Sequence, residues 1–324
     1  MRYKVLIPQY IPADSLRKFS DLDCDIVTDC GSSEAELIAA IGDADAVVAR
    51  TAPYTAAVLA AAKKLKIIAR YGIGVDNIDV DAAARAGIWV SNTPFSILSS
   101  VAEHTICLML ALAKNLHVGD RELRRGNFGI RNQLTGVDLA GKTVGLIGLG
   151  RIGSMVAQKC RLGLDMRVLA YDPYLPPDRA PQGVELCKNW DKIFQTADVI
   201  SMHLPLTDAT RGIVGAREFE MMKESAFFIN CARGGIVREK ELIRALQTGK
   251  IAGAGLDVYE NEDPGQDSPL YALDNTILTP HCASFTRDAY LRMGADAAAC
   301  VESVLFKQEP PPWPVNHPPM PRRD

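Results

Sequence analysis

One glycine triplet constrains this chain more than any other stretch. Residues 144–147 form a short apolar run with β-branched side chains. Gly148, Gly150 and Gly153 follow at Gly-x-Gly-x-x-Gly spacing, and an apolar, helix-forming segment continues from Ile152. The pattern reads strand, tight turn, helix. In such a unit Gly148 permits the turn, Gly150 lets a pyrophosphate approach the backbone, and Gly153 lets the helix pack close to the strand. The helix N-terminus then faces the phosphates. A second apolar strand, 167–171, ends at Asp172, about twenty residues on, where a carboxylate accepts hydrogen bonds from ribose hydroxyls. The same carboxylate repels a 2′-phosphate, so the expected cofactor is NAD. Its contacts here are expected from Gly148, Gly150, Arg151, Ile152, Gly153 and Asp172.

The 324 residues suffice for two domains, each with its own core. With 48% hydrophobic and 23% charged residues, the composition is that of a globular protein. A net charge of −3 supplies no drive toward nucleic acid or an anionic membrane, and neither is expected as a partner. The eight cysteines include no Cys-x-x-Cys pair. Several sit in apolar runs, where a reduced thiol behaves as a small hydrophobe. No metal site is expected. No secretory signal is visible, and the longest apolar run, 105–113, is too short to span a bilayer. A reducing cytoplasm is therefore expected.

Strand patterns fall at 4–8, 25–28, 46–50, 67–70 and 88–91, with helical patterns at 13–19, 34–41, 55–64 and 79–86 between them. The alternation predicts a parallel, doubly wound sheet. Ligands in such sheets bind beyond the carboxyl ends of strands. Two of these ends are polar: Arg50-Thr51, and the segment 70–77, whose Gly72 and Gly74 are placed to offer backbone N–H groups to a carboxylate. A plain strand-to-helix turn accounts for that segment equally well. A break at 92–94 precedes a long helical pattern over 99–117, read as a connection between domains, with Glu103 and His104 as helix-face residues. Residues 121–131 read as a solvated helix and loop.

Prolines after Asp172 mark a loop. Strand 198–202 then ends at His203, expected to line the cofactor. Strand 226–230 empties into Cys231, Ala232 and Arg233, and helix 239–246 follows. Strand 253–256 ends at Asp257 ahead of a loop holding Glu260, Glu262 and Asp263. Strand 277–279 leads to His281, helix 287–306 follows, and the proline-rich tail from 310 is expected to be extended. Three strand ends thus carry Arg233, Glu262 and His281. Reduction of a 2-oxoacid needs such a set. The guanidinium fork grips a carboxylate and polarises the carbonyl. Histidine donates the proton near neutral pH, and an adjacent carboxylate favours the imidazolium.

Nearly the whole chain resembles the D-isomer-specific 2-hydroxyacid dehydrogenase family, in its phosphoglycerate dehydrogenase-like branch. The resemblance lies in Arg70-Tyr-Gly-Ile-Gly-Val-Asp-Asn-Ile-Asp79, Ser100-Val-Ala-Glu-His104, the triplet Gly148, Gly150 and Gly153, His203-Leu-Pro-Leu-Thr207, Asn230-Cys-Ala-Arg-Gly-Gly-Ile-Val237, Leu256-Asp-Val-Tyr-Glu260 and Thr279-Pro-His281. It implies Arg233 as the substrate-gripping arginine, His281 as general acid/base and Glu262 as its partner. Cys231, Ala232, Asp257 and His281 join the cofactor contacts, Asp257 holding the nicotinamide amide. Arg50 and Tyr71, Gly72, Ile73 and Gly74 are assigned to the substrate. The resemblance also implies a Rossmann NAD-binding domain over 99–291 and a smaller flavodoxin-like substrate domain from 1–98 and 292–324. A homodimer and a cleft that closes over a small 2-oxoacid or 2-hydroxyacid are implied too.

The chain departs from the family's pattern in three places. Cys282-Ala-Ser-Phe285 replaces small residues. Tyr71 is bulkier than usual and is expected to narrow the pocket or add a hydroxyl donor. The loop Glu262-Asp263-Pro264 leaves Glu260 and Asp263 as weaker candidates for the carboxylate. With 324 residues no regulatory C-terminal domain is expected. The alternative of another class is a nucleotide-sensing, corepressor-like scaffold of the same fold.

Overall fold

A computed structural model describes residues 2–323. The chain forms two compact units. Unit 1 comprises the residues up to Ile97 together with those from Phe285 onward, and unit 2 is Leu98–Ser284. The return to unit 1 thus comes at Phe285, ahead of the last helix, rather than inside that helix at 292.

Unit 1 is a five-stranded sheet of β1 (Tyr3–Ile7), β2 (Cys24–Thr28), β3 (Ala46–Ala49), β4 (Ile67–Arg70) and β5 (Trp89–Ser91). Every pairing is parallel and the order is β2-β1-β3-β4-β5, which is the flavodoxin-like winding. All four residues of β3 are buried, as a central strand covered on both faces requires. The connections are α1 (Ala13–Ser20), α2 (Glu34–Ala40), α3 (Ala56–Ala61) and α4 (Val80–Arg85). Side chains start three of them. Ser33 and Glu36 form a capping box on α2, Thr55 accepts from Val58 N, and Asp79 accepts from Ala82 N. The tail is extended, as expected: Val315 N donates to Val90 O, and the Asn316 amide bonds both Val90 N and Ile88 O.

Unit 2 opens with α5 (Leu98–Ala113) and α6 (Leu116–Arg124). The predicted single helix over 99–117 is broken because Asn115 takes a left-handed conformation, φ +50°, one that Asn tolerates. α5 is a core element of this unit. Its Ala102, Leu108, Met109 and Leu112 are buried in one cluster with Val144, Leu146 and Ile229. Seven parallel strands follow: β6 (Thr143–Ile147), β7 (Arg167–Tyr171), β8 (Val184–Leu186), β9 (Val199–Met202), β10 (Phe227–Asn230), β11 (Gly253–Leu256) and β12 (Thr276–Leu278). Their order is β12-β11-β10-β9-β6-β7-β8. Counted within the unit, this is the Rossmann order with one strand added, and the winding reverses between β6 and β9. The helices are α7 (Arg151–Gly163), α8 (Asp191–Thr196), α9 (Ala216–Met221) and α10 (Glu239–Gln247), and α11 (Arg287–Leu305) belongs to unit 1. The expected class, two doubly wound parallel α/β sheets, is therefore the class observed.

Candidate functional site

The reversal point between β6 and β9 is where an open sheet leaves a crevice at its carboxyl edge. Gly148 ends β6 there with φ +98°, and a Cβ on it would stand 2.6 Å from His203 O. His203 in turn follows β9 and donates its N–H to Ile147 O at 2.7 Å. A Cβ on Gly153 would stand 2.4 Å from Gly148 O. The protein's own packing thus demands glycine at both positions. Gly150 differs, because nothing lies within 4 Å of a Cβ built on it. It begins α7, whose N-terminus has no side-chain cap, so N–H groups and open space coincide where a pyrophosphate would lie. This stretch therefore fits a dinucleotide.

That contrast yields a prediction. Gly150→Val should cost no more thermal stability than a poorer N-cap does, about 1 kcal/mol, yet weaken NADH binding by at least about tenfold, a loss of roughly 1.4 kcal/mol. Gly153→Ala should harm both. Thermal melts and NADH fluorescence titrations of the two variants check this, and a Gly150→Val protein that binds NADH normally would remove the argument for pyrophosphate contact.

Asp172 follows β7. Its Oδ2 accepts from Leu149 N and its Oδ1 from Tyr174 N, both at 2.9 Å. The carboxylate is thereby fixed beside the glycine-rich turn, with lone pairs left over for ribose hydroxyls. His203 is half-buried, and its Nε2 lies 3.0 Å from Ser201 Oγ. Burial pushes it down to about 4, so at neutral pH its imidazole is uncharged.

Asn230 ends β10 with 1% exposure. Its Oδ1 accepts from Ala232 N and its Nδ2 donates to Arg233 O, both at 3.0 Å. This side chain clamps the turn that presents Arg233, a role that sequence reasoning missed, although an Asn at a strand end ahead of an Arg was visible. Arg233 NH1 donates to Ala232 O at 2.7 Å. Burial pushes the Cys231 thiol up, so it is protonated and no nucleophile.

β11 ends at Asp257, which is fully buried. Oδ1 accepts from the Thr279 hydroxyl at 2.6 Å and from Cys282 N at 2.9 Å, and Oδ2 accepts from Ala283 N at 2.9 Å. The turn so gripped carries His281, whose φ of +52° is left-handed. His281 Nδ1 lies 2.5 Å from Glu262 Oε1. The other two candidate carboxylates are engaged elsewhere. Glu260 Oε2 accepts from Glu239 N, and Asp263 Oδ1 accepts from Gly265 N. The histidine's partner is thus Glu262. β10, β11 and β12 are adjacent and parallel, so Arg233, Asp257 and His281 leave one edge of one sheet.

In unit 1, Arg50 NH1 donates to Tyr10 O at 2.6 Å, and its guanidinium lies 5.5 Å from the Phe285 ring centroid. The reading of Tyr71 needs correction. Its side chain is 3% exposed and packs in the core, and its hydroxyl donates to Tyr290 O at 2.9 Å beside Ser15 Oγ at 2.8 Å. Burial pushes this phenol up to about 12. Its hydroxyl is thus engaged inside unit 1, because the side chain follows a strand end on the side that faces α1 and α11. Gly72 N–H is also engaged, with Arg70 O and Thr93 Oγ1 both at 3.0 Å. Arg70 braces the segment by donating to Gly74 O and Tyr71 O.

Residues 106–283, inside unit 2, match the sequence profile of the D-isomer specific 2-hydroxyacid dehydrogenase, NAD binding domain. The chain belongs to the D-isomer specific 2-hydroxyacid dehydrogenase family. This family member is 44% identical over 293 residues to D-3-phosphoglycerate dehydrogenase of Archaeoglobus fulgidus, covering 90% of the present chain and 55% of that one. The chain therefore spans about half the length of such relatives. Among solved structures it is similar to an NADPH-dependent glyoxylate/hydroxypyruvate reductase of Sinorhizobium meliloti in complex with NADP and malonate. There the TM-score is 0.88 and the identity 28%, covering 100% of both chains. It is also similar to D-lactate dehydrogenase of Aquifex aeolicus complexed with NAD and lactic acid, with a TM-score of 0.84 and 28% identity over 97% of this chain and 99% of that one.

Proposed function

We propose that this protein is an NAD-dependent D-2-hydroxyacid dehydrogenase for a small acid of the 3-phosphoglycerate, hydroxypyruvate or glyoxylate type. The reading rests foremost on the contact between His281 Nδ1 and Glu262 Oε1, at the edge of the sheet whose reversal point fits a dinucleotide. When bound, the nicotinamide supplies or takes the hydride. The chain's own residues do the rest. Arg233 holds the substrate carboxylate and draws charge onto the carbonyl oxygen. Glu262 holds Nδ1–H, which leaves Nε2 to give a proton to that oxygen during reduction and to take it from the hydroxyl during oxidation. Asp257 keeps its assignment to the nicotinamide amide, with one acceptor site on Oδ2 left by the turn. Arg50, Ile73 and Gly74 keep their assignment to the substrate, whereas Gly72 has its N–H taken by Arg70 O and Thr93 Oγ1.

Steady-state oxidation of NADH with a panel of 2-oxoacids, phosphorylated and sulfonated acids included, tests this reading. NADH binding without turnover on any of them would leave a nucleotide-sensing scaffold instead. NAD preference is assigned to Asp172, and Asp172→Ala should shift the ratio of NADH to NADPH efficiency toward NADPH by about tenfold, or roughly 1.4 kcal/mol of discrimination. A wild type that already prefers NADPH would overturn that assignment. We further assign the protein to a homodimer, which light scattering checks, and to a cytoplasmic, reducing compartment. All eight cysteines are free, and among the described residues no helix is long and apolar enough to cross a membrane.

A further inference from the structure

We propose that His104, on α5, is a positioning residue that holds the His281 turn through Thr279 and Asp257. The proposal rests on the reading of His281 as the acid/base group. His104 Nε2 lies 3.0 Å from Thr279 Oγ1 and 3.7 Å from Asp257 Oδ1. The Thr279 hydroxyl has a single proton, and its nearest acceptor is Asp257 Oδ1 at 2.6 Å, with Leu256 O farther off at 3.5 Å. Both are oxygens that only accept. The hydroxyl proton is therefore committed, and Thr279 Oγ1 meets His104 as an acceptor. His104 Nε2 must carry the proton, so the neutral ring is fixed as the Nε2–H tautomer.

The relay runs His104 Nε2–H to Thr279 Oγ1, Thr279 O–H to Asp257 Oδ1, and from the two Asp257 oxygens to the N–H groups of Cys282 and Ala283, directly after His281. A second brace holds the near side, where Thr279 O accepts from His281 N at 3.0 Å and from the Tyr259 hydroxyl at 2.9 Å. A left-handed histidine persists only where its surroundings over-determine it. This relay supplies that constraint, and His104 orients its first donor. Cys282 Sγ also comes within 4.8 Å of His104 and Asp257. Burial, and then Asp257, push that thiol up, and its side chain hydrogen-bonds Asp257 and Thr279, so it flanks the relay as a neutral, weak partner.

Two measurements test the proposal. In ¹⁵N-imidazole NMR of the wild type, with five histidines in all and His104→Gln as the assignment control, the neutral His104 ring is expected as the Nε2–H tautomer. An Nδ1–H ring would overturn the relay, whether or not the protein turns over any 2-oxoacid. In kinetics, His104→Leu should lower kcat by roughly tenfold or more, the scale of a displaced catalytic group. The NADH Kd should stay near wild type, and His104→Gln, which keeps a donor, should recover most of the loss. Thr279→Val should match His104→Leu, and the double variant should be no worse than the poorer single, because coupled sites are not additive. Wild-type kcat in His104→Leu, equal losses in Leu and Gln, or losses that multiply in the double would each overturn it. No turnover in the wild type would count against the dehydrogenase reading, and the tautomer would still decide the relay.

Discussion

Replacing His281 by asparagine is expected to lower kcat for 2-oxoacid reduction by about 10²–10⁴, the usual worth of a positioned acid/base group, while NADH still binds. Asparagine is chosen for the backbone. His281 sits at φ +52°, and alanine there would add a left-handed cost of about 1–2 kcal/mol to the loss of the ring. Asn tolerates the region, so the turn held by Asp257 stays formed and the experiment isolates the imidazole. Glu262 is left without its ring partner, but its side chain is 65% exposed, so water satisfies it and the fold is not penalised. Steady-state kinetics with the best substrate of the panel, alongside an NADH titration, reads both quantities. Turnover within a few-fold of wild type would remove His281 from the chemistry. Weak NADH binding with unchanged kcat would make it a cofactor contact only.

The parts of the fold that follow from periodicity and punctuation were legible in the chain. Apolar runs such as 46–49 and 67–69 sit in buried parallel strands, and the glycine triplet marks the point where strand order reverses. β8 was missed because three half-buried residues, Val184–Leu186, carry no alternation and follow a proline-rich loop. The helix break at Asn115 was missed because the apolar pattern runs past it to Leu116, and only backbone conformation marks the end. For the site, residue type and strand-end position indicated Arg233, Glu262 and His281. They did not separate Glu262 from Glu260 and Asp263, since that choice depends on which loop carboxylate already holds a backbone N–H. Tyr71 was misjudged for a related reason. A residue one past a strand end can turn either way, and the Ser15 hydroxyl and Tyr290 O that its hydroxyl meets are distant in sequence. Asn230 and Thr279 were visible as motif members, but their work lies in hydrogen-bond satisfaction, which spacing does not reveal.

Arg233→Lys is expected to lower kcat/KM for a 2-oxoacid by about 10²–10³, the scale of removing one preorganised donor from developing oxyanion charge. The charge survives this substitution but the fork does not. A guanidinium presents five N–H donors in a fixed plane, so Arg233 braces itself on Ala232 O without giving up the planar geometry that a carboxylate recognises. An ammonium is a point charge on a flexible stem and cannot keep both engagements in one geometry. The turn itself should survive, because Asn230 holds it through the backbone O of Arg233 and N of Ala232, groups that no side-chain replacement removes. NADH affinity and thermal stability are therefore expected near wild type, with KM for the acid raised and kcat lowered together. Arg233→Ala separates charge from scaffold: added guanidinium ion should restore part of its activity, while added ammonium should not. Equal rescue by both ions, or kcat/KM within about threefold of wild type in the lysine variant, would show that planar recognition of the carboxylate is not what Arg233 contributes.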